Sequence, residues 1–90
     1  MTLRFYLDLE TEQPHIYRHH VSELEVEEVL ERPLEDRPGA EGSRIALGQT
    51  RGGRYLRVIY VPAVPESIFV ITAYELGAKA KRALRRRRKK

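Results

Sequence analysis

Thr50-Arg51-Gly52-Gly53-Arg54-Tyr55-Leu56-Arg57-Val58-Ile59-Tyr60-Val61 is the stretch that decides the fold of this 90-residue chain. Two adjacent glycines supply a hairpin turn, because glycine takes positive φ without a Cβ clash. The run from Tyr55 to Val61 is β-branched and aromatic, which suits a pleated surface. Leu56, Val58 and Tyr60 fall on one face of that strand, and Tyr55, Arg57, Ile59 and Val61 on the other. Upstream, Ile45 and Leu47 alternate with Arg44 and Ala46, so the glycines join two strands. Downstream, Pro62 to Glu66 turns the chain. Ile68-Phe69-Val70-Ile71-Thr72-Ala73-Tyr74 then reads as a central strand covered on both faces.

Towards the amino terminus, Leu3, Phe5, Leu7 and Leu9 alternate with polar residues and predict a half-buried first strand, broken by Glu12-Gln13-Pro14. Ser22-Glu23-Leu24-Glu25 is a capping box, with Val21 and Val26 spaced as a hydrophobic staple. Leu24, Val26, Val29 and Leu30 form the apolar stripe of the helix it opens. Glu23, Glu25, Glu27, Glu28 and Glu31 fill the wet side, and Pro33 stops it. His15 to His20 predicts a short separate helix or turn. Glu35 to Gly42 reads as a loop. Beyond Gly77, Ala78, Ala80, Ala83 and Leu84 favour a last helix, whose end the like charges from Arg85 to Lys90 should fray. The order is strand, one or two helices, three strands, then a basic helix or tail. It predicts an α+β domain over residues 1–78, with helices on one face of a small, mostly antiparallel sheet, and a polybasic segment over 79–90.

Charge is divided unevenly. Lys79 to Lys90 carries 9 of the 17 basic residues and no acid, while the other 8 share the body with all 13 acids, leaving it at −5. A cationic end on an acidic body attracts polyanions without sequence preference, through counterion release. RNA or the ribosome suits it better than a membrane surface, since no large apolar side chains in the segment would anchor it in lipid. The absence of cysteine excludes disulfide scaffolds, thiolate metal sites and a cysteine nucleophile. No apolar run reaches transmembrane length. Asp8 interrupts the amino-terminal segment too early for a secretory signal, so the expected compartment is the cytoplasm.

Three segments carry a family likeness. Arg18-His19-His20-Val21-Ser22 resembles the basic-His-Gly-Val-Ser lead-in to the first long helix of the BrnT toxins, members of the RelE/ParE superfamily. Gly48 to Tyr60 resembles their G-x-T-x-x-G-R-x-L-x-V-x-Y hairpin. Ile71-Thr72-Ala73-Tyr74 is similar to the V-I-T-A-Y last strand of a sister group of RelE-like domains. His20 stands where the toxins usually have Gly, and Tyr74 where they carry Arg after the alanine. The likeness spans about residues 15 to 82, and it rests on the order and spacing of short motifs.

The resemblance implies a metal-independent endoribonuclease of a type II toxin-antitoxin system, in which a ribose 2′-hydroxyl attacks the neighbouring phosphate. That chemistry needs a base, an acid and cations for the phosphate charge. His19 aligns with the toxin histidine and is the first candidate for acid-base work; His20 is the second. Tyr74, at the end of a strand before the basic segment, is the third. Arg51 and Arg54 flank the glycine turn and could clamp phosphate. Arg57 is either a site residue or a partner for the acidic helix. Lys79, Lys81 and Arg82 extend the cationic surface. Tyr17, Tyr55, Tyr60 and Tyr74 are candidates for base stacking. His15 and His19, four apart, could also form a metal pair, but two imidazoles lack a third ligand, and no metal or other cofactor is expected. The implied partners are RNA or the ribosome and a cognate antitoxin protein, with a homodimer left open. The competing class is a non-catalytic RNA- or ribosome-binding module that uses its basic tail, and a third is a plain interaction protein.

Overall fold

The computed structural model describes residues 2–63 and 66–88. These residues form β1 (Thr2–Phe5), a 3-10 turn at His15–His19, α1 (Glu23–Glu31), β2 (Glu35–Pro38), β3 (Arg44–Gln49), β4 (Tyr55–Ala63), β5 (Ser67–Glu75) and α2 (Ala78–Arg88). The strands make one five-stranded sheet in the order β1-β5-β4-β3-β2. β2 to β5 run as an antiparallel meander, and β1 adds in parallel beside β5. The protein is therefore α+β with a mixed sheet.

α1 begins where the sequence places it. Ser22 Oγ accepts from the Glu25 amide at 3.1 Å, and the Glu25 carboxylate accepts from the Ser22 amide at 3.0 Å. The helix seats Val26 and Val29 on Ala46, Leu56, Val58, Val70 and Ala73, with Ile16, Val21 and Tyr60 completing this core. Leu24 departs from the predicted stripe and is exposed. It lies two residues from Val26, about 200° around the helix and away from the sheet.

The opposite face carries a second, smaller core. Leu84 of α2 packs with Leu47 and Leu76, flanked by Leu34, Ile45, Tyr55 and Ala80. Strand alternation sets Leu47 and Tyr55 on the reverse side from Ala46 and Leu56. The two helices thus lie on opposite faces rather than on one. α2 also continues through the arginine run as far as Arg88, and Lys89 and Lys90, the rest of the segment expected to fray, lie outside the described residues. Arg87 pairs with the Glu35 carboxylate at 2.7 and 2.9 Å, and Arg88 donates to the Leu34 carbonyl, so part of the charge is neutralised on the body.

Two other differences concern strands. Glu35 to Pro38, expected as loop, pairs with Leu47 to Arg44 as the edge strand β2. Side chains fasten it: Tyr60 donates to Asp36, and Arg44 donates to the same carboxylate at 2.9 Å. Proline and charge suit an edge strand, which presents one side of its backbone to water. The first strand stops at Phe5, and Leu9 is almost fully exposed. β5 is interior to the sheet, but only its α1 side is well covered, by Val70 and Ala73. The register slips between Ile59 and Tyr60, whose partners are Thr72 and Val70, so Ile71 is an extra residue bulged into β5. Among the described residues, no helix is long and apolar enough to cross a membrane.

Candidate functional site

The 3-10 turn is built to point imidazoles. Ile16 is buried in the α1 core, and the His15 amide donates to the Tyr6 carbonyl. His20 ends the turn in the left-handed conformation, φ 58°, with its amide donating back to Tyr17. With the backbone held at both ends, His15 and His19 face the side of the sheet opposite α1. There they meet Tyr6 and Tyr74, and Tyr74 in turn meets Arg57.

The result is a continuous row of side chains. Asp8 Oδ1 lies 2.8 Å from His15 Nδ1, and its other oxygen accepts from Arg18 Nε at 2.6 Å. Tyr6 stands edge-on to His15, with ring centroids 6.1 Å apart. His15 and His19 meet edge to face at 5.3 Å, and His19 meets Tyr74 at 5.7 Å. Tyr74 Oη accepts from an Arg57 guanidinium nitrogen at 3.4 Å, and that guanidinium lies 5.7 Å from the tyrosine ring centre. The row crosses three segments distant in sequence, because Arg57 and Tyr74 are paired residues of β4 and β5.

Its electrostatics are graded. The hydrogen bond from His15, and then that from Arg18, hold the Asp8 carboxyl below its usual range, against a smaller desolvation effect. With Nδ1 turned to the Asp8 carboxylate, Nε2 is the ring nitrogen of His15 left to meet a substrate. At the other end sits the Arg57 cation. Arg57 Nε and Thr72 Oγ1 are buried without hydrogen-bond partners, both on this face of the sheet. Orphaned donors of this kind are costly and uncommon in folded proteins.

The expected pocket uniting histidines with the glycine-turn arginines does not form. Arg54 turns towards α1: it donates to both Glu25 oxygens at 2.8 and 3.0 Å, to the His20 carbonyl at 2.8 Å and to Glu75 at 3.3 Å. Arg51 is held near Glu28, whose carboxylate accepts from its amide at 3.0 Å. Both lie apart from His15 and His19, on the α1 side. His20 lies outside the row and contributes its backbone to Arg54. Tyr17 is exposed and donates its hydroxyl to Glu23, while Tyr60 is buried against Asp36 and its ring is not placed for stacking. Arg57 sits on the face away from α1, which removes it as a partner for the acidic helix. Lys79 and Arg82 are exposed on α2, and Lys81 lies over the Tyr55 ring at 5.7 Å.

Asp8 carries no signal as a site residue in the sequence, and His15 stands there as one of three clustered histidines and as half of a possible metal pair. Asp8 lies in an irregular segment seven residues before His15, with no periodicity to mark it. The four-residue spacing of the histidines was visible and does bring them together. Among the described residues, no group of three or more histidine, aspartate or glutamate side chains is arranged to hold a metal ion.

No protein-family model, no curated protein and no solved structure matches the chain.

Proposed function

We propose that the chain is a cytoplasmic RNA-acting protein of the RelE/BrnT toxin type, cleaving RNA without a metal at the row from Asp8 to Arg57. The observation that carries this reading is the contiguity of an aspartate-held imidazole, a second imidazole, a phenol and a guanidinium on one sheet face. His15, oriented by Asp8, takes the proton of a ribose 2′-hydroxyl. That oxygen bonds to the adjacent phosphorus, the bond from phosphorus to the 5′ oxygen breaks, and His19 returns a proton to the leaving oxygen. Arg57 and the Tyr74 hydroxyl stabilise the charge that builds on the phosphate. The products are a 2′,3′-cyclic phosphate and a 5′-hydroxyl. The residue likeness quoted above supports the same class, with the ribosome as the setting and an antitoxin as the partner.

The test uses purified full-length chain and a labelled RNA oligonucleotide in the presence of a chelator. Cyclic-phosphate products that disappear with His19→Ala and with His15→Ala support the reading. Intact RNA with wild-type protein, together with unchanged cell growth on expression, overturns it. The second reading, a binding module without catalysis, is favoured by one observation: the cationic α2 is docked on the same sheet face as the row. It predicts RNA affinity with no products.

A further inference from the structure

On the sheet face that carries the histidine row, α2, the end of β3 and the start of β4 line a cleft. Its lining is Leu34, Gln49, Tyr55, Leu84, Arg85 and Arg88. The floor is apolar and aromatic, the rim carries two guanidiniums and one amide, and no carboxylate lines it. Lys81 Nζ lies 5.7 Å and the Arg85 guanidinium 5.6 Å from the Tyr55 ring centre. Glu35, next in sequence to Leu34 of the lining, is paired with Arg87. Arg85 makes no ion pair among the described residues. Gln49 spends an amide N–H on the Gly53 carbonyl at 3.3 Å, which leaves its Oε1 as a free acceptor.

An apolar floor, an aromatic ring with two cations over it and a free carbonyl acceptor match one nucleotide. We infer that this cleft is an RNA subsite: it seats one base against Tyr55 and the leucine floor, with the neighbouring phosphate on Arg85 and Arg88. Because Gln49 offers an acceptor, the subsite favours a base bearing an exocyclic amine, so cytosine over uracil. Tyr55 and Arg57 are two residues apart on β4, about 7 Å along the strand. The base held at Tyr55 is therefore next to the phosphate that reaches Arg57. This inference rests on the chain acting on RNA, and it adds where and how the strand is gripped.

The probes are fluorescent oligocytidylate and oligouridylate of about eight nucleotides, bound to the full chain at low and moderate salt. The oligocytidylate binds about fivefold more tightly, and Gln49→Leu brings the two level. Tyr55→Leu weakens both roughly tenfold with the salt slope unchanged, while Tyr55→Phe binds as wild type. Arg85→Gln reduces the salt slope by about one. In wild-type protein, the ring resonances of Tyr55 shift on titration, a readout independent of how any variant folds. Equal affinity for the two oligomers, unmoved Tyr55 resonances, or free cytidine monophosphate competing as strongly as the oligomer overturns the subsite. Tyr55-dependent binding without cleavage supports the subsite and sinks the nuclease. Cleavage with no involvement of Tyr55 does the reverse.

Discussion

His15 Nδ1 lies 2.8 Å from Asp8 Oδ1, and this bond joins the loop after β1 to the turn that carries both imidazoles of the row. The partnership fixes which ring nitrogen of His15 faces outward, and it draws Arg18 into the same carboxylate. Its consequences for pH and for catalysis can be separated.

The Asp8 carboxyl is held below its usual 3.8 by His15 and Arg18. A lowered folded-state value means stability that is present above the unfolded-state value and lost as pH falls through the folded one. The melting temperature of wild type should therefore exceed that of Asp8→Asn near neutrality. The gap should close as pH drops below about 4. Thermal melts across that range check it, and a constant gap at every pH contradicts it.

On RNA, His19→Ala should lower the cleavage rate by about 100-fold or more, the usual scale for removing an acid-base group. Tyr74→Phe should lower it by roughly tenfold and leave unfolding within about 0.5 kcal/mol, since the hydroxyl meets only Arg57 at 3.4 Å. Rates and urea unfolding on the same preparations separate chemistry from folding.

Arg54 has the opposite profile. It ties α1, the end of the 3-10 turn and β5 together through Glu25, the His20 carbonyl and Glu75. Arg54→Ala should cost about 1–2 kcal/mol in urea unfolding, with RNA affinity changed little. A large loss of affinity in a fully stable variant would return Arg54 to the phosphate site.

Leu84 decides whether the basic segment is a tail or part of the body. It is completely buried against Leu47 and Leu76. Leu84→Ala should destabilise the whole domain by about 2–4 kcal/mol. A solvated tail would lose nothing. The same change should weaken RNA binding even though no charge is removed.

The Ser22 cap, the staple of Val21 and Val26, the glycine hairpin and the two long strands were legible because each is written in neighbouring residues. β2 was hidden, since Glu35-Asp36-Arg37-Pro38 has no strand propensity of its own and pairs through β3 and the Asp36 contacts to Arg44 and Tyr60. The far face was hidden for a similar reason. Nothing local in Ala78 to Arg88 says that Leu84 crosses to the side away from α1. Of the candidate site, the His15/His19 spacing and Tyr74 were visible. The Asp8 bond and the turning of Arg54 towards Glu25 were not, because both are settled by residues far along the chain.

The extra residue at Ile71 has an effect out of proportion to its size. Were β5 to run through Ile71 without a bulge, counting two by two from Val70 would swing Thr72 and Tyr74 inward and turn Ala73 out to solvent. The phenol would then plug the space under α1, and His19 and Arg57 would have no bridge between them. Ironing out the bulge with Ile71 kept in the ladder would thus leave a sheet of the same shape whose working surface has been turned inside out, whereas deleting Ile71 would leave every face as it is.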